Sequence, residues 1–87
     1  MKSNLDLEFR ITGIYDQKEY KAVVGMKGDG ERISYLISEA MEVDNSARKT
    51  LLAGVFAYAL YNDYDLAKDF IAMKKVFDSN HEKYKAK

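Results

Sequence analysis

Tyr20–Met41, YKAVVGMKGDGERISYLISEAM, carries two different periods in one segment. Up to Lys27 the residues alternate. Tyr20, Ala22, Val24 and Met26 share one parity, and Lys21, Val23, Gly25 and Lys27 the other, which is the signature of a half-buried strand. Gly28-Asp29-Gly30 interrupts that pattern. From Glu31 onward, Ile33, Leu36, Ile37, Ala40 and Met41 fall at i, i+3, i+4, i+7 and i+8, the apolar stripe of an amphipathic helix. The spacing predicts a strand over about 20–27 and a helix over about 31–42. Asp29 or Gly30 is suited to cap that helix, and Glu31 complements its N-terminal dipole.

Working back toward the N-terminus, Leu5, Leu7, Phe9 and Ile11 alternate with Asp6, Glu8, Arg10 and Thr12, so a first strand is expected over about 5–12. The polar Asp16-Gln17-Lys18-Glu19 suits the turn of an antiparallel hairpin. Gly13 is expected to mark a bulge or the end of regular pairing. Two strands alone are marginal in water, so an apolar sheet face calls for a cover of helices.

Toward the C-terminus, Asp44-Asn45-Ser46 is rich in capping residues and opens a second helix, expected over about 47–61. Its run Leu51–Tyr61, LLAGVFAYALY, holds no charge. On a helical wheel it splits in two. Leu51, Leu52, Val55, Phe56 and Ala59 form a bulky face, whose full burial is worth roughly 6–12 kcal/mol as an upper bound. Ala53, Gly54, Ala57, Tyr58 and Tyr61 form a small-residue face edged by tyrosines. A helix apolar all round needs partners on more than one side. A third helix is expected over about 63–85, with Asn62-Asp63 stopping the second helix and capping the third. Its stripe Leu66, Phe70, Met73, Phe77, Asn80, Tyr84 keeps heptad steps. A helix continued to the last residue would be about 37 Å long, long enough to overhang the domain or rest on another subunit. The alternative is fraying after Asp78, where Ser79-Asn80-His81 is poor helix material. The expected fold is one α+β domain over residues 1–87, order ββααα, with helices over one sheet face.

Bulk properties narrow the function classes. Lys plus Arg and Asp plus Glu are equal at 14 each, so no net field draws the chain to nucleic acid. Residues 1–43 hold 6 basic and 8 acidic residues, and residues 44–87 hold 8 and 6. There is no cysteine, which excludes disulfides and thiolate metal sites. The start, MKSNLDLEF, lacks the apolar core of a signal peptide, and an apolar run of 11 is too short for a bilayer. A cytoplasmic protein is expected. The preference for Lys, at 11 against 3 Arg, is a bias of AT-rich genomes.

No motif of known chemistry survives inspection. The glycine-rich corner Gly28–Gly30 stands where backbone N–H groups can cradle phosphate. It matches neither the P-loop pattern nor the dinucleotide pattern, whose third glycine is replaced by Ile33, and Asp29 and Glu31 would repel an anion. Asp63, Asp65 and Asp69 lack the ligand count and the glycine of a calcium loop. His81 is the single histidine, with no neighbouring base, nucleophile or second ligand in sequence. No catalytic residue, cofactor or metal is therefore assigned, and no enzyme activity is expected. The basic tail, with Lys74, Lys75, Lys83, Lys85 and Lys87 against Asp78 and Glu82, offers phosphate contacts. The second and third helices do not read as a DNA-binding pair, because the third opens with Asp63-Tyr64-Asp65.

Seven tyrosines are the most suggestive feature, since tyrosine buries area while keeping a polar tip at interfaces. The leading expectation is a small non-enzymatic protein-interaction domain, a homodimer, of the type of a phage or mobile-element accessory protein or an inhibitor of a protein partner. Its candidate contact residues are Ala53, Gly54, Ala57, Tyr58, Tyr61, Phe77 and Tyr84. The alternatives are a nucleic-acid accessory protein using the basic C-terminal helix end, and a small ligand or phosphate binder at the Gly28–Gly30 corner.

Overall fold

A computed structural model describes residues 5–79 of the chain. Its element order is β1 (Glu8–Asp16), β2 (Glu19–Lys27), α1 (Gly30–Val43), α2 (Asn45–Asn62) and α3 (Leu66–Ser79). This is the α+β order of a hairpin followed by three helices. The chain divides into two compact units, Met1–Val43 and Asp44–Lys87. The boundary coincides with the change from a mildly acidic half to a mildly basic one.

In the first unit β1 and β2 pair antiparallel, with Phe9 opposite Met26, Ile11 opposite Val24 and Tyr15 opposite Tyr20. The two apolar parities read from the sequence thus share one face. The Tyr15 and Tyr20 rings stand 4.6 Å apart beside the turn. The pairing runs further than the alternation of residues 5–12 implied, up to Asp16, and only Gln17 and Lys18 form the turn. Both have positive φ, 52° and 67°, as a tight turn matched to strand twist demands. The expected turn Asp16–Glu19 is thus the four-residue turn observed, without the Asn-Gly usual at its centre. Gly13 is a correction of another kind. It makes no bulge but pairs in register with Ala22. A Cβ at Gly13 would come 2.0 Å from the Lys21 carbonyl oxygen, so the cross-strand backbone passes too close for a side chain.

The hairpin ends at Gly28, where φ is 114° and a Cβ would meet Leu7 Cδ2 at 2.5 Å. Asp29 then caps α1, as expected. Its Oδ1 accepts from the Arg32 backbone N–H at 2.9 Å and its Oδ2 from Arg32 Nη1 at 2.7 Å. The stripe Ile33, Leu36, Ile37, Ala40 and Met41 is buried or half-buried, as are Ser34 and Tyr35 beside it, and Ile33, 3% exposed, is the one buried apolar residue among the described residues. Ile33 lies beside Gly28, at the open end of the hairpin. Ile11, Val24 and Met26, in the sheet, stay more than half exposed.

In the second unit Asp44 is the N-cap of α2, its side chain accepting from the Ala47 N–H at 3.0 Å. The helix thus begins at Asn45, two residues before the expected start. Its end corrects another assignment. Asp63 does not cap α3. It sits in the left-handed region, φ 55° and ψ 41°, and closes α2 by donating its backbone N–H to the Ala59 carbonyl, which Tyr64 N–H also reaches at 2.9 Å. Asp65 is the residue that caps α3, accepting from the N–H groups of Ala67 and Lys68 at 3.1 and 3.3 Å. An aspartate at each position looks alike in sequence; only the backbone turn tells them apart. The stretch 80–85 of the expected third helix lies outside the described residues, so the choice between overhang and fraying does too.

Candidate functional site

The site built from the sequence lies on α2, and five of its residues do share that helix. Ala53, Ala57 and Tyr61 follow one another at steps of four, with Gly54 and Tyr58 alongside. All five are exposed, Tyr58 at 58% and Tyr61 at 82%. Gly54 has open space where a Cβ would stand, with nothing within 4 Å. Phe77 lies near the far end of α3 and is 36% exposed. Tyr84 and His81 lie outside the described residues.

The bulky face is only partly covered, with Leu51 and Ala59 half-buried. No residue of α2 is buried, and Leu52, Val55 and Phe56 are 42%, 47% and 62% exposed. Leu60, which neither face claimed, is 72% exposed. On α3, Phe70, Ile71 and Met73 are all more than half exposed. The two helices form no extended packed seam with each other. They are held at their corner instead. Tyr64 sets its ring edge-on against Tyr58 at a centroid distance of 5.4 Å, and its hydroxyl donates to Asp69 Oδ2. Asn62 Nδ2 donates to the Tyr58 carbonyl at 3.0 Å. Spacing in the sequence could not show this clasp, because Tyr64 and Asp69 straddle a helix start.

The other candidate positions acquire local duties. At the Gly28–Gly30 corner, the N-terminus of α1 already holds a carboxylate, that of Asp29. The Arg32 backbone N–H, together with the Arg32 guanidinium, holds the Asp29 carboxyl below the usual carboxylate range. An anion would have to displace it. Asp63, Asp65 and Asp69 serve as a helix end, a helix cap and the acceptor for Tyr64. Among the described residues no group of three or more His, Cys, Asp or Glu side chains could hold a metal ion. In the basic tail, Lys74 pairs with Asp78 at 2.9 Å, and Lys83, Lys85 and Lys87 lie outside the described residues. No helix among the described residues is long and apolar enough to cross a membrane.

What the site offers is apolar and aromatic area on a well-capped helix. Comparison of the chain with known protein families, with curated proteins and with solved structures finds no match.

Proposed function

We propose that the chain is a small protein-interaction domain that acts by self-association, with α2 as its main contact helix. One observation carries the reading: over Leu51–Tyr61 α2 is apolar on every side, yet among the described residues none of the helix is buried. Either α3 or a second chain has to cover its small-residue face, and α3 forms no packed seam along it. A second copy is the partner always present at matching concentration, and a two-fold contact lets one surface serve both sides. Ala53, Gly54 and Ala57 allow close approach of a helix backbone, while Tyr58 and Tyr61 supply rim area with polar tips. No catalytic role is proposed.

Thermal melts across about a hundredfold range of protein concentration test this, because association that favours the folded state raises Tm with concentration. Tm is expected to climb, and Ala57→Arg, which places a charge in the small-residue face, is expected to flatten that climb. A Tm independent of concentration in the unsubstituted chain would overturn the reading.

A further inference from the structure

We infer that the free edge of β2 is a second self-recognition surface, at which two copies join antiparallel about Val23 to make a four-stranded sheet. The inference rests on the self-association proposed above but uses a different part of the chain. The sheet has two strands among the described residues, so each keeps one unpaired edge. α1 approaches the hairpin chiefly on the β1 side. A two-residue turn makes Asp16 and Glu19 a hydrogen-bonded pair, and antiparallel alternation then directs the N–H and C=O groups of Tyr20, Ala22, Val24 and Met26 outward. Such a row is a template for another strand.

Charge and side-chain size decide which edge is used. β2 spans Glu19–Lys27 and is centred on Val23. A two-fold axis there sets Glu19 of each copy opposite Lys27 of the other, at both ends of the new pairing. It sets Lys21 opposite Gly25, which has no side chain of its own, although the Arg10 guanidinium lies beside it; this is one unfavourable neighbour against the two Glu19–Lys27 pairs. It sets Tyr20 opposite Met26 and Ala22 opposite Val24, which extends the apolar face shared with Phe9 and Ile11. Val23, 69% exposed, meets itself. The same operation on β1, which spans Glu8–Asp16 and is centred on Thr12, sets Glu8 opposite Asp16 twice, and like charges directly opposed are unfavourable. Asp16 already faces Glu19 across the turn, so this would crowd a third carboxylate there. Pairing β1 of one copy with β2 of the next leaves a free edge at each end and grows without closing. The β2 pairing closes as a dimer.

The test is charge exchange followed by mixing, read by sedimentation velocity. E19K and K27E alone each replace two attractive cross-copy pairs by two repulsive ones, and each is expected to dissociate roughly tenfold more readily than the unsubstituted chain. Mixed in equal amounts, the two variants restore complementary pairs and are expected to return to association as heterodimers. E19K carries a further discrimination. Within one chain it relieves the Asp16–Glu19 opposition, so it should stabilise the hairpin while weakening the dimer, opposite effects that simple misfolding cannot give. Should K27E fail to fold, Val23→Cys decides. The chain has no cysteine, and facing non-hydrogen-bonded residues stand about 4.5 Å apart at Cα, within disulfide reach. An unsubstituted chain that stays monomeric removes the self-association reading itself. An unsubstituted chain that associates, with E19K and K27E associating equally well, with no recovery on mixing or with V23C unlinked on oxidation, removes the β2 edge alone.

Discussion

The two units of this chain use the same local devices and reach different outcomes. Both α1 and α2 begin on an aspartate that accepts from a backbone N–H three residues on, Asp29 from Arg32 and Asp44 from Ala47. Both carry ample apolar residues. Yet the stripe of α1 centres on a buried Ile33, while α2 buries nothing. The glycines divide likewise. Gly13 and Gly28 are required by a neighbouring backbone and by a positive φ, whereas Gly54 faces open space. Caps and turns are written over three or four residues and are satisfied wherever they occur. Burial needs a partner surface. In the first unit a one-sided stripe of α1 finds it at the end of the hairpin; in the second an all-round apolar helix finds none along α3.

Substitutions that truncate one residue in each unit put this contrast to its hardest test. Ile33→Ala is expected to cost about 2–3 kcal/mol in chemical denaturation, the low end for a buried isoleucine because its surroundings are thin. Val55→Ala, at 47% exposure, is expected to cost under about 1 kcal/mol at dilutions where the chain is monomeric, and more as concentration rises. Equal costs at all concentrations would erase the distinction.

Glycine replacements come next, and here the signs differ. Gly28→Ala is expected to lose about 1–3 kcal/mol, since it forces φ 114° on a residue with a side chain and presses on Leu7. Gly13→Ala should lose a similar amount through the Lys21 carbonyl. In dilute solution Gly54→Ala should gain about 0.5–1 kcal/mol from helix propensity. A loss at Gly54 that grows with concentration would mean that another backbone passes close by in the associated form, which sharpens the role of the small-residue face.

The corner between α2 and α3 gives a smaller effect. Tyr64→Phe removes the hydroxyl that bonds Asp69 but keeps the ring against Tyr58. A loss of about 0.5–1.5 kcal/mol is expected for an intact corner bond. The smallest effect is that of pH on α1. The Asp29 carboxyl titrates below its ordinary range when folded, so its capping contribution is fully present above the unfolded carboxylate range. It is lost as pH falls through the depressed folded value. Helicity at acid pH should fall less in Asp29→Asn, whose amide oxygen still caps without titrating.

Much of the architecture was legible because it is local. Period two in residues 5–12 and 20–27, the break at Gly28–Gly30 and the stripe from Ile33 to Met41 give the hairpin and α1 directly. Boundaries failed where two roles share one residue type, as with Asp63 ending a helix and Asp65 starting one. Gly13 was misread because its reason lies across the sheet, in the Lys21 carbonyl, which no linear pattern contains. The candidate site was legible as an apolar helix with two faces. The Tyr64–Asp69 clasp was not, since it depends on how the turn aims two side chains.

Sedimentation velocity of the chain over a range of concentrations tests the central claim most directly. The account predicts a sedimentation coefficient that rises with concentration above that of the monomer. A single monomeric species at every concentration would contradict it.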